Sequence, residues 1–480
     1  MKRILALLLA LVMILPLAAC SSSLATENPT AEGEPSEKGE NKNEEKGEII
    51  YPDSFSAGFG REDMSPKNLP IKLGNGNTGD AMADSLYATC VAVCDGKTVA
   101  LFFHMDMKEM PEDIFDSTTK RLQQKFGIPA ENVIMTATHT HVAPHTTSDE
   151  ANNIRWRSTL YEAAVNAAEQ ALRDLSPAKV SVGTGDATGM TFVRRYKMAD
   201  GTYKMNPGKG DANIVEPEST PDPELRTIRF EREEGDDIVM ANFQTHYCGD
   251  SKGITSDFVH YLRSDVEKNM GVHFAYFNGG SANINTANRL GESHYNTMSR
   301  LGAGLAKVVE ESVSADKEVE SGKIQVNQKD IEGEVRIDSE ERRAQALEWS
   351  QTVGDSAKGE VLAKYKFDTQ YEAIAVNARR KIAEGTETNL IPVSAISFGD
   401  VAMTANPFEL FDISCKELRE ASPYKMTFTC SYSNAHQSYM PPDEIFPHGG
   451  YEVYVSRFVS GTAETTVNTI VSMLQENKAK

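Results

Sequence analysis

The chain has 480 residues, with 49 basic and 70 acidic side chains and a formal net charge of −21. Hydrophobic residues make up 40% of it and charged residues 25%, a composition typical of globular proteins. The acidic balance argues against a nucleic-acid partner and against adhesion to anionic lipid, because both need clustered Lys and Arg. No segment after the first twenty residues is long and apolar enough to span a membrane.

The N-terminus has the pattern of an export signal. Two basic residues precede an uncharged apolar run over residues 4–19. The run ends in Leu-Ala-Ala-Cys, which resembles a bacterial lipoprotein signal. We therefore predict a signal peptide over 1–19 and a lipidated Cys20 that anchors the exported protein to the bacterial cell membrane, facing outside the cytoplasm. Plain secretion, with Cys20 incidental, is the alternative.

Residues 20–50 carry many Glu, Lys, Ser, Asn and Gly and no aromatic residue. Such a segment buries too little apolar area to offset its ordering entropy, so it is predicted to be a disordered acidic tether before a folded part over 51–480. With Cys20 assigned to lipid, an odd number of five Cys remains. Cys90 and Cys94 share one face of a strand about 13 Å apart, too far for a bridge, so no disulfide framework is expected.

Strand and helix patterns alternate along the folded part, with apolar residues at every second position in strands and at every third or fourth in helices. The predicted elements are a hairpin over 86–107 about Asp95-Gly96, a helix over 112–126, a strand over 132–138, a helix over 155–175, strands over 179–183, 225–231 and 238–245, a helix over 258–270, a strand over 272–277, a helix over 295–312, a charged helical stretch over 338–386, a strand over 396–405, a helix over 409–421, a strand over 424–431 and a helix over 462–475. This alternation predicts an α/β fold with mixed β-sheets flanked by helices, in a single large domain.

The densest polar cluster, Thr138–His145, follows a predicted strand. In extended backbone His139 and His141 lie on one face, roughly 7 Å apart, where both imidazoles can bind one metal ion. Two histidines hydrogen-bonded in a loop are the alternative. The sequence lacks the His-Glu-x-x-His and Gly-x-Ser-x-Gly motifs of other hydrolases. Gly74–Gly79 matches G-x-G-x-x-G without a strand–helix frame, so it is predicted to be a surface loop.

Four more segments carry polar residues where predicted elements end or begin. They are Asn242–His246, Phe277–Asn285, Asn406–Glu409 and Ser433–Pro442. Together with Thr-His-Thr-His and in this order, they resemble the N-terminal catalytic domain of the neutral/alkaline non-lysosomal ceramidase family. The resemblance runs from about Gly58 to the C-terminal helix.

That resemblance implies a single Zn²⁺ held by His139, His246, Glu409 and Tyr439, a set of N and O donors that leaves room for water or a carbonyl oxygen. The metal would activate that water and polarise the scissile carbonyl. His141 would lie beside the metal as a proton carrier or hydrogen-bond partner.

The resemblance also implies roles for three further residues. An Arg of the Arg194-Arg195 pair would stabilise a developing oxyanion, and we favour Arg195 slightly. Tyr451 would line the pocket. Asn283 takes the position of the family's nucleophilic Ser. Since Asn has no hydroxyl, either water activated by zinc attacks directly or the protein is not an amidase of that type.

The sequence thus predicts an exported, lipid-anchored, zinc-dependent hydrolase of an amide bond in a lipid or N-acyl compound. Two other functions stay open: a non-catalytic surface lipoprotein that binds a ligand with the same fold, and a zinc hydrolase with a non-lipid substrate. Local alternatives stay open as well. Glu409 could interact with a helix dipole, Tyr439 could be a core aromatic residue, and His246 could be structural.

Overall fold

The computed structural model describes residues 49–480 except Asp250, Lys252, 353–362 and Asp368. The predicted signal peptide, Cys20 and nearly all of the predicted tether lie outside the described residues. The chain from Ile49 to Lys480 forms one unit by its internal contacts. None of the described helices combines the length and the apolar composition that crossing a membrane requires.

The described α-helices are α1 Glu112–Phe126, α2 Ala151–Arg173, α3 Phe258–Met270, α4 Met298–Ser314, α5 Glu340–Thr352, α6 Gln370–Ala383, α7 Asp412–Glu420, α8 Tyr451–Val455 and α9 Thr462–Lys478. The strands are β1 Ser56–Asp63, β2 Ile71–Lys72, β3 Thr78–Gly79, β4 Tyr87–Cys94, β5 Val99–Met105, β6 Val133–Ala137, β7 Ser176–Asp186, β8 Phe192–Val193, β9 Arg195–Met198, β10 Tyr203–Met205, β11 Ile214–Pro217, β12 Glu224–Arg232, β13 Ile238–Phe243, β14 His273–Asn278, β15 Ile284–Asn285, β16 Lys317–Val319, β17 Ile324–Glu332, β18 Leu390–Phe398, β19 Val401–Ala405, β20 Glu409–Leu410, β21 Met426–Cys430 and β22 Tyr439–Met440.

Two sheets form the centre of the fold. The larger has nine strands in the order β14-β13-β12-β7-β1-β4-β5-β6, with β16 paired to β7. Its β13–β14 and β5–β6 pairs are parallel and its other pairs antiparallel. The smaller sheet has the order β17-β18-β19-β21, with only β19–β21 parallel. The predicted α/β class with mixed sheets is confirmed.

Both faces of the large sheet are covered by apolar contacts, as its alternating apolar residues require. Leu101 and Phe103 pack towards α1 and α2. Their neighbour Phe102 points the other way and joins Phe230 and Phe398 between the two sheets. Helices α3 and α4 cover the large sheet beside β13 and β14. Helices α7 and α9 cover the outer face of the small sheet.

The two edges of the large sheet approach each other. The backbone N–H of Tyr276 in edge strand β14 donates to Nδ1 of His104 in β5, at 2.9 Å. Strand β5 is paired with β6, the opposite edge strand. Twisted strands accumulate rotation across a sheet, so a sheet of this width can bring its ends together. Segments that follow β6 and β13 therefore meet at one place, although about 100 residues separate them.

Most predicted elements are present, but two boundaries were wrong. The predicted strand over 396–405 is two antiparallel strands, β18 and β19, turned at Gly399, whose φ is +59°. The helix predicted from residue 409 begins at Asp412. Glu409 instead lies in β20, so the interpretation of Glu409 as a helix N-terminal residue is wrong.

Candidate metal centre

Three imidazoles converge at the place where the segments after β6 and β13 meet. Nε2 of His141 lies 3.2 Å from Nε2 of His139 and 3.1 Å from Nε2 of His246. All three can offer ligand atoms that lie within 4.8 Å of one another. Two nitrogen ligands of a tetrahedral zinc ion are about 3.3 Å apart, because each Zn–N bond is about 2.0–2.1 Å long. The spacing of the imidazoles therefore fits a metal ion.

His139 is held with its Nε2 lone pair free. Its backbone is left-handed, with φ of +66°, and its N–H donates to the carbonyl of Met107 at 3.0 Å. Its Nδ1 lies 2.7 Å from the carbonyl oxygen of Lys108, and its ring stacks on Tyr432 with centroids 4.1 Å apart. A carbonyl can only accept, so Nδ1 carries the proton and Nε2 is ready to bind a metal.

His246 has two competing neighbours at Nδ1. The carbonyl oxygen of Ser281 and Nη1 of Arg194 both lie 3.3 Å away. A hydrogen bond to Ser281 needs a proton on Nδ1 and frees Nε2, whereas one from Arg194 needs the opposite tautomer. Metal binding at Nε2 selects the Ser281 contact. His141 has no hydrogen-bond partner at Nδ1 in the described part of the chain, so nothing fixes its tautomer.

Glu409 adds a carboxylate to the histidines. Its Oε2 lies 3.6 Å from Nε2 of His139 and is buried with no hydrogen-bond partner among the described residues. Oε1 lies 3.4 Å from Nε2 of His436. Glu409 and Tyr439 are register partners in the parallel β20–β22 pair, and the Tyr439 side chain helps to lower the pKa of the Glu409 carboxyl. A buried carboxylate oxygen without a partner is costly, so its position beside His139 fits a cation.

The protonation states suit metal binding. Burial lowers the pKa of His139 to about 4, although Glu409 opposes the shift. Burial and then the charge of His139 hold the pKa values of His141 and His246 well below 6.5. Burial raises the pKa of Glu409, but His139 and His436 outweigh it and bring it to about 2. At neutral pH the cluster therefore has neutral imidazoles and an ionised carboxylate, the forms that bind metal.

The structure brings Arg194, and not Arg195, to the histidines. Arg195 is buried between Glu218 and Glu452, and its side chain also donates to the carbonyl of Gly449 at 2.9 Å. Arg194 donates from Nε to Glu452 at 2.9 Å, and its guanidinium lies 5.5 Å from the Tyr439 ring centroid. Its Nη2 is buried without a hydrogen-bond partner in the described residues. The preference for Arg195 is therefore revised to Arg194.

Asn283 is held by a helix rather than aimed at the histidines. Its Nδ2 donates to Oδ1 of Asp412 at 2.6 Å, and its Oδ1 accepts from the backbone N–H of Asp412 at 3.0 Å. The nearby hydroxyl of Ser281 is fully buried and lies 2.6 Å from the hydroxyl of Tyr432. Neither side chain offers a free nucleophile.

Tyr451 lies at the edge of the site. Its ring centroid is 5.3 Å from that of Tyr439 and 5.7 Å from that of Tyr371, which is 44% exposed. Burial and the nearby Glu409 raise its pKa, so its hydroxyl stays protonated. Three aromatic rings therefore lead from the surface to Glu409.

Sequence reasoning missed three residues around the site. His436 lies between two carboxylates, with Nδ1 3.4 Å from Oε2 of Glu109. It belongs to the segment Ser433–Pro442 that the sequence singled out, so its position was a usable signal. Glu109 and Tyr432 carried no signal, because only the folded chain places them beside His436 and His139.

The fold and the site define an α/β protein with a buried histidine cluster compatible with a metal ion. Two solved structures share the fold. A ceramidase complexed with C2 has a TM-score of 0.67 and 14% identity over 89% of this chain and 76% of that chain. The neutral ceramidase from Pseudomonas aeruginosa has a TM-score of 0.66 and 15% identity over 89% and 75%. This chain therefore has the fold of neutral ceramidases, which confirms at the level of fold the resemblance seen in the sequence.

No protein-family model matches the sequence, and no curated protein matches it.

Proposed function

We propose that this protein is a zinc-dependent hydrolase of an amide bond in a lipid or N-acyl compound. One observation carries the proposal: three imidazoles offer ligand nitrogens within 4.8 Å of one another, and the unpaired buried Oε2 of Glu409 lies 3.6 Å from one of them, Nε2 of His139. The fold shared with two ceramidases supports the amide as the bond that is cleaved.

His139, His246, Glu409 and Tyr439 would hold the ion. The two histidines each have a carbonyl facing Nδ1, which is the support that metal-binding histidines need. The mix of nitrogen and oxygen donors suits zinc. When bound, such an ion supplies a Lewis acid that polarises a carbonyl group and lowers the pKa of water.

The role that remains for His141, which is not among these ligands, is proton transfer. Its Nε2 lies within 3.2 Å of both other Nε2 atoms, yet its Nδ1 lacks the fixed acceptor of a metal-binding histidine. It can therefore take a proton at Nε2 from the attacking water and return it to the leaving amine. Arg194 lies beside His246, with Nη1 3.3 Å from Nδ1, and its buried Nη2–H groups have no hydrogen-bond partner among the described residues. These groups would stabilise negative charge on the substrate's carbonyl oxygen.

A non-catalytic protein that binds a ligand in this pocket is the second candidate. The observation that favours it is the side chain of Asn283, which has no hydroxyl and is occupied by Asp412. A protein of this kind would show a ligand-dependent rise in Tm without turnover across the substrates tested below.

The test is metal content together with turnover. Purified full-length protein should contain about one zinc per chain by mass spectrometry and hydrolyse members of a set of ceramides, N-acyl ethanolamines and N-acyl amino acids. His246→Ala should lose both zinc and turnover. The control His294→Ala changes an exposed histidine and should keep both. Zinc-free protein with full turnover, or stoichiometric zinc with no turnover, would overturn the proposal.

We also propose that the protein is exported and anchored through Cys20. The support is the sequence pattern of residues 1–20. Cys20→Ala should abolish incorporation of labelled fatty acid and move the protein from the membrane fraction to the soluble fraction. Unchanged labelling of that variant would contradict the anchor.

A further inference from the structure

The side chain of Lys108 lies at the mouth of the candidate metal centre. Its backbone is fixed to the site, because its carbonyl oxygen faces Nδ1 of His139 at 2.7 Å. Its stem runs along Gly74, where an added Cβ would lie 3.0 Å from Cδ of Lys108. Because Gly74 of the predicted surface loop has no side chain, the loop leaves room for the aliphatic stem of Lys108.

The ammonium of Lys108 is half-buried and incompletely paired. Its side chain is 20% exposed, and its nearest carboxylate is Oε2 of Glu109, at 3.9 Å. In the part of the chain that the structure describes, this ammonium donates no hydrogen bond. A cation that is partly removed from water and has three free N–H donors is a favourable partner for an oxyanion.

The charges around Lys108 leave room for an added anion. Glu109 is already shared with His436, whose Nδ1 lies 3.4 Å from Oε2, and with Thr146, whose hydroxyl donates to Oε1 at 3.0 Å. Arg457 faces Glu109 as well, and it forms no ion pair within 4 Å among the described residues. One carboxylate therefore serves two cations, Lys108 and Arg457, on this side of the site.

A short series of contacts links the ammonium to the candidate metal centre. Nζ of Lys108 lies 3.9 Å from Oε2 of Glu109, and His436 lies 3.4 Å from Glu109 on one side and 3.4 Å from Glu409 on the other. The charge of Lys108 acts on Glu409 and on Tyr371 of α6, which stands at the outer end of the aromatic rings described above. It also acts on His139 and His141. A substrate bound beside the histidines would therefore extend past Lys108.

We propose that Lys108 binds an oxyanion of the substrate, so that the preferred substrate is an N-acyl compound with an acidic group close to the amide. This inference rests on the proposed hydrolase function. A carboxylate next to the amide nitrogen, as in an N-acyl amino acid, or a phosphate on the amine side would supply the oxyanion. Neutral amides offer Lys108 no such partner.

The experiment compares four substrates that share one acyl chain: N-lauroylglycine, its neutral counterpart N-lauroylglycinamide, N-lauroylphosphoethanolamine and N-lauroylethanolamine. The readout is the ratio of kcat/KM for each acid to that for its neutral counterpart. One charge-assisted hydrogen bond predicts a ratio of about ten or more in the unchanged protein. The two pairs distinguish a carboxylate from a phosphate as the recognised group.

Lys108→Met keeps the stem and removes the charge, so the ratio should fall towards one. Lys108→Arg should restore most of it. The control Lys97→Met changes an exposed lysine at the other end of β5 and should keep the ratio. A ratio near one in the unchanged protein, or an unchanged ratio in Lys108→Met, would overturn the inference while leaving the hydrolase intact.

A second measurement separates the inference from the hydrolase proposal. Calorimetry records binding of N-lauroylglycine to the metal-free protein and to its Lys108→Met variant. Binding that depends on Lys108, together with no turnover by the zinc-loaded protein, would support the oxyanion site and overturn the hydrolase. Absence of both turnover and Lys108-dependent binding would overturn both.

Discussion

Replacing His246 with Ala tests the candidate metal centre through stability. The metal ion binds the folded chain far better than the unfolded chain, because only the fold brings His139, His246 and Glu409 together. Zinc should therefore raise the Tm of the unchanged protein, and a lost ligand should reduce that rise. Each protein is compared with its own metal-free form, so the packing lost with the imidazole cancels.

The size of the effect follows from linkage. Free zinc at a thousand times its Kd stabilises the fold by about 4 kcal/mol. A folded unit of about 430 residues has an unfolding entropy near 0.9 kcal/mol/K, so 1 kcal/mol shifts its Tm by about 1 °C. The unchanged protein should gain about 4–5 °C. Losing a direct ligand weakens binding by at least the upper limit of ~100-fold seen for outer contacts, which leaves His246→Ala a gain of at most about 1.5 °C.

The assay is differential scanning calorimetry with and without zinc at buffered free concentrations. His294→Ala serves as the matched histidine change and should gain as much as the unchanged protein. The reasoning is refuted if His246→Ala keeps the full gain, because His246 would then not touch the ion. It is refuted also if zinc leaves the Tm of the unchanged protein where it was.

Three other outcomes are expected. Lowering the pH from 6.5 to 4 should destabilise the metal-free protein by about 3 kcal/mol through His139. The pKa of His139 is about 4 in the fold and 6.5 in the unfolded chain, so the unfolded chain binds the proton first. Urea unfolding at each pH should show that the free energy of unfolding of His139→Gln depends less on pH. Arg194→Met should lower kcat about 100-fold or more. Arg195→Met should instead lower the free energy of unfolding by about 3–5 kcal/mol, because it removes the guanidinium that pairs with the buried Glu218 and leaves only His448 beside that carboxylate. Kinetics and urea unfolding of both variants would separate these roles, and equal kcat losses per folded molecule would contradict the assignment. Asn283→Ala should cost about 2–3 kcal/mol of stability through Asp412 and spare kcat per folded molecule; a large loss of kcat would show that Asn283 takes part in the reaction.

The sequence predicted most elements because their patterns are local. Helices α1 and α3 have the predicted bounds, since each is amphipathic and ends at a glycine with positive φ, Gly127 or Gly271. Strand β1 was missed because Gly58 and Gly60 interrupt its apolar pattern. Packing against α2 requires glycine at both positions, because a Cβ at either would lie about 2 Å from a carbonyl oxygen of that helix.

The site was predictable only in part, because its partners are set by the fold. His139 and His141 follow a strand, which is visible in the sequence, and their approach to His246 depends on how the large sheet curls. The choice between Arg194 and Arg195 depended on the direction of two adjacent side chains. Neighbouring residues of an extended segment point to opposite sides, so no composition argument separates them.

Backbone strain around the three histidines supports a functional role for the histidine cluster. Five residues other than glycine have positive φ values there: His139 at +66°, Asp257 at +68°, Tyr432 at +55°, Asn434 at +62° and Ser438 at +68°. Each costs about 1–2 kcal/mol relative to ordinary backbone. Tyr432 stacks on His139, and Asp257 begins α3 shortly after the segment that contains His246. A cluster that served only to pack the chain would gain stability by relaxing these conformations, whereas a centre that must direct Nε2 of His139 towards Glu409 needs them.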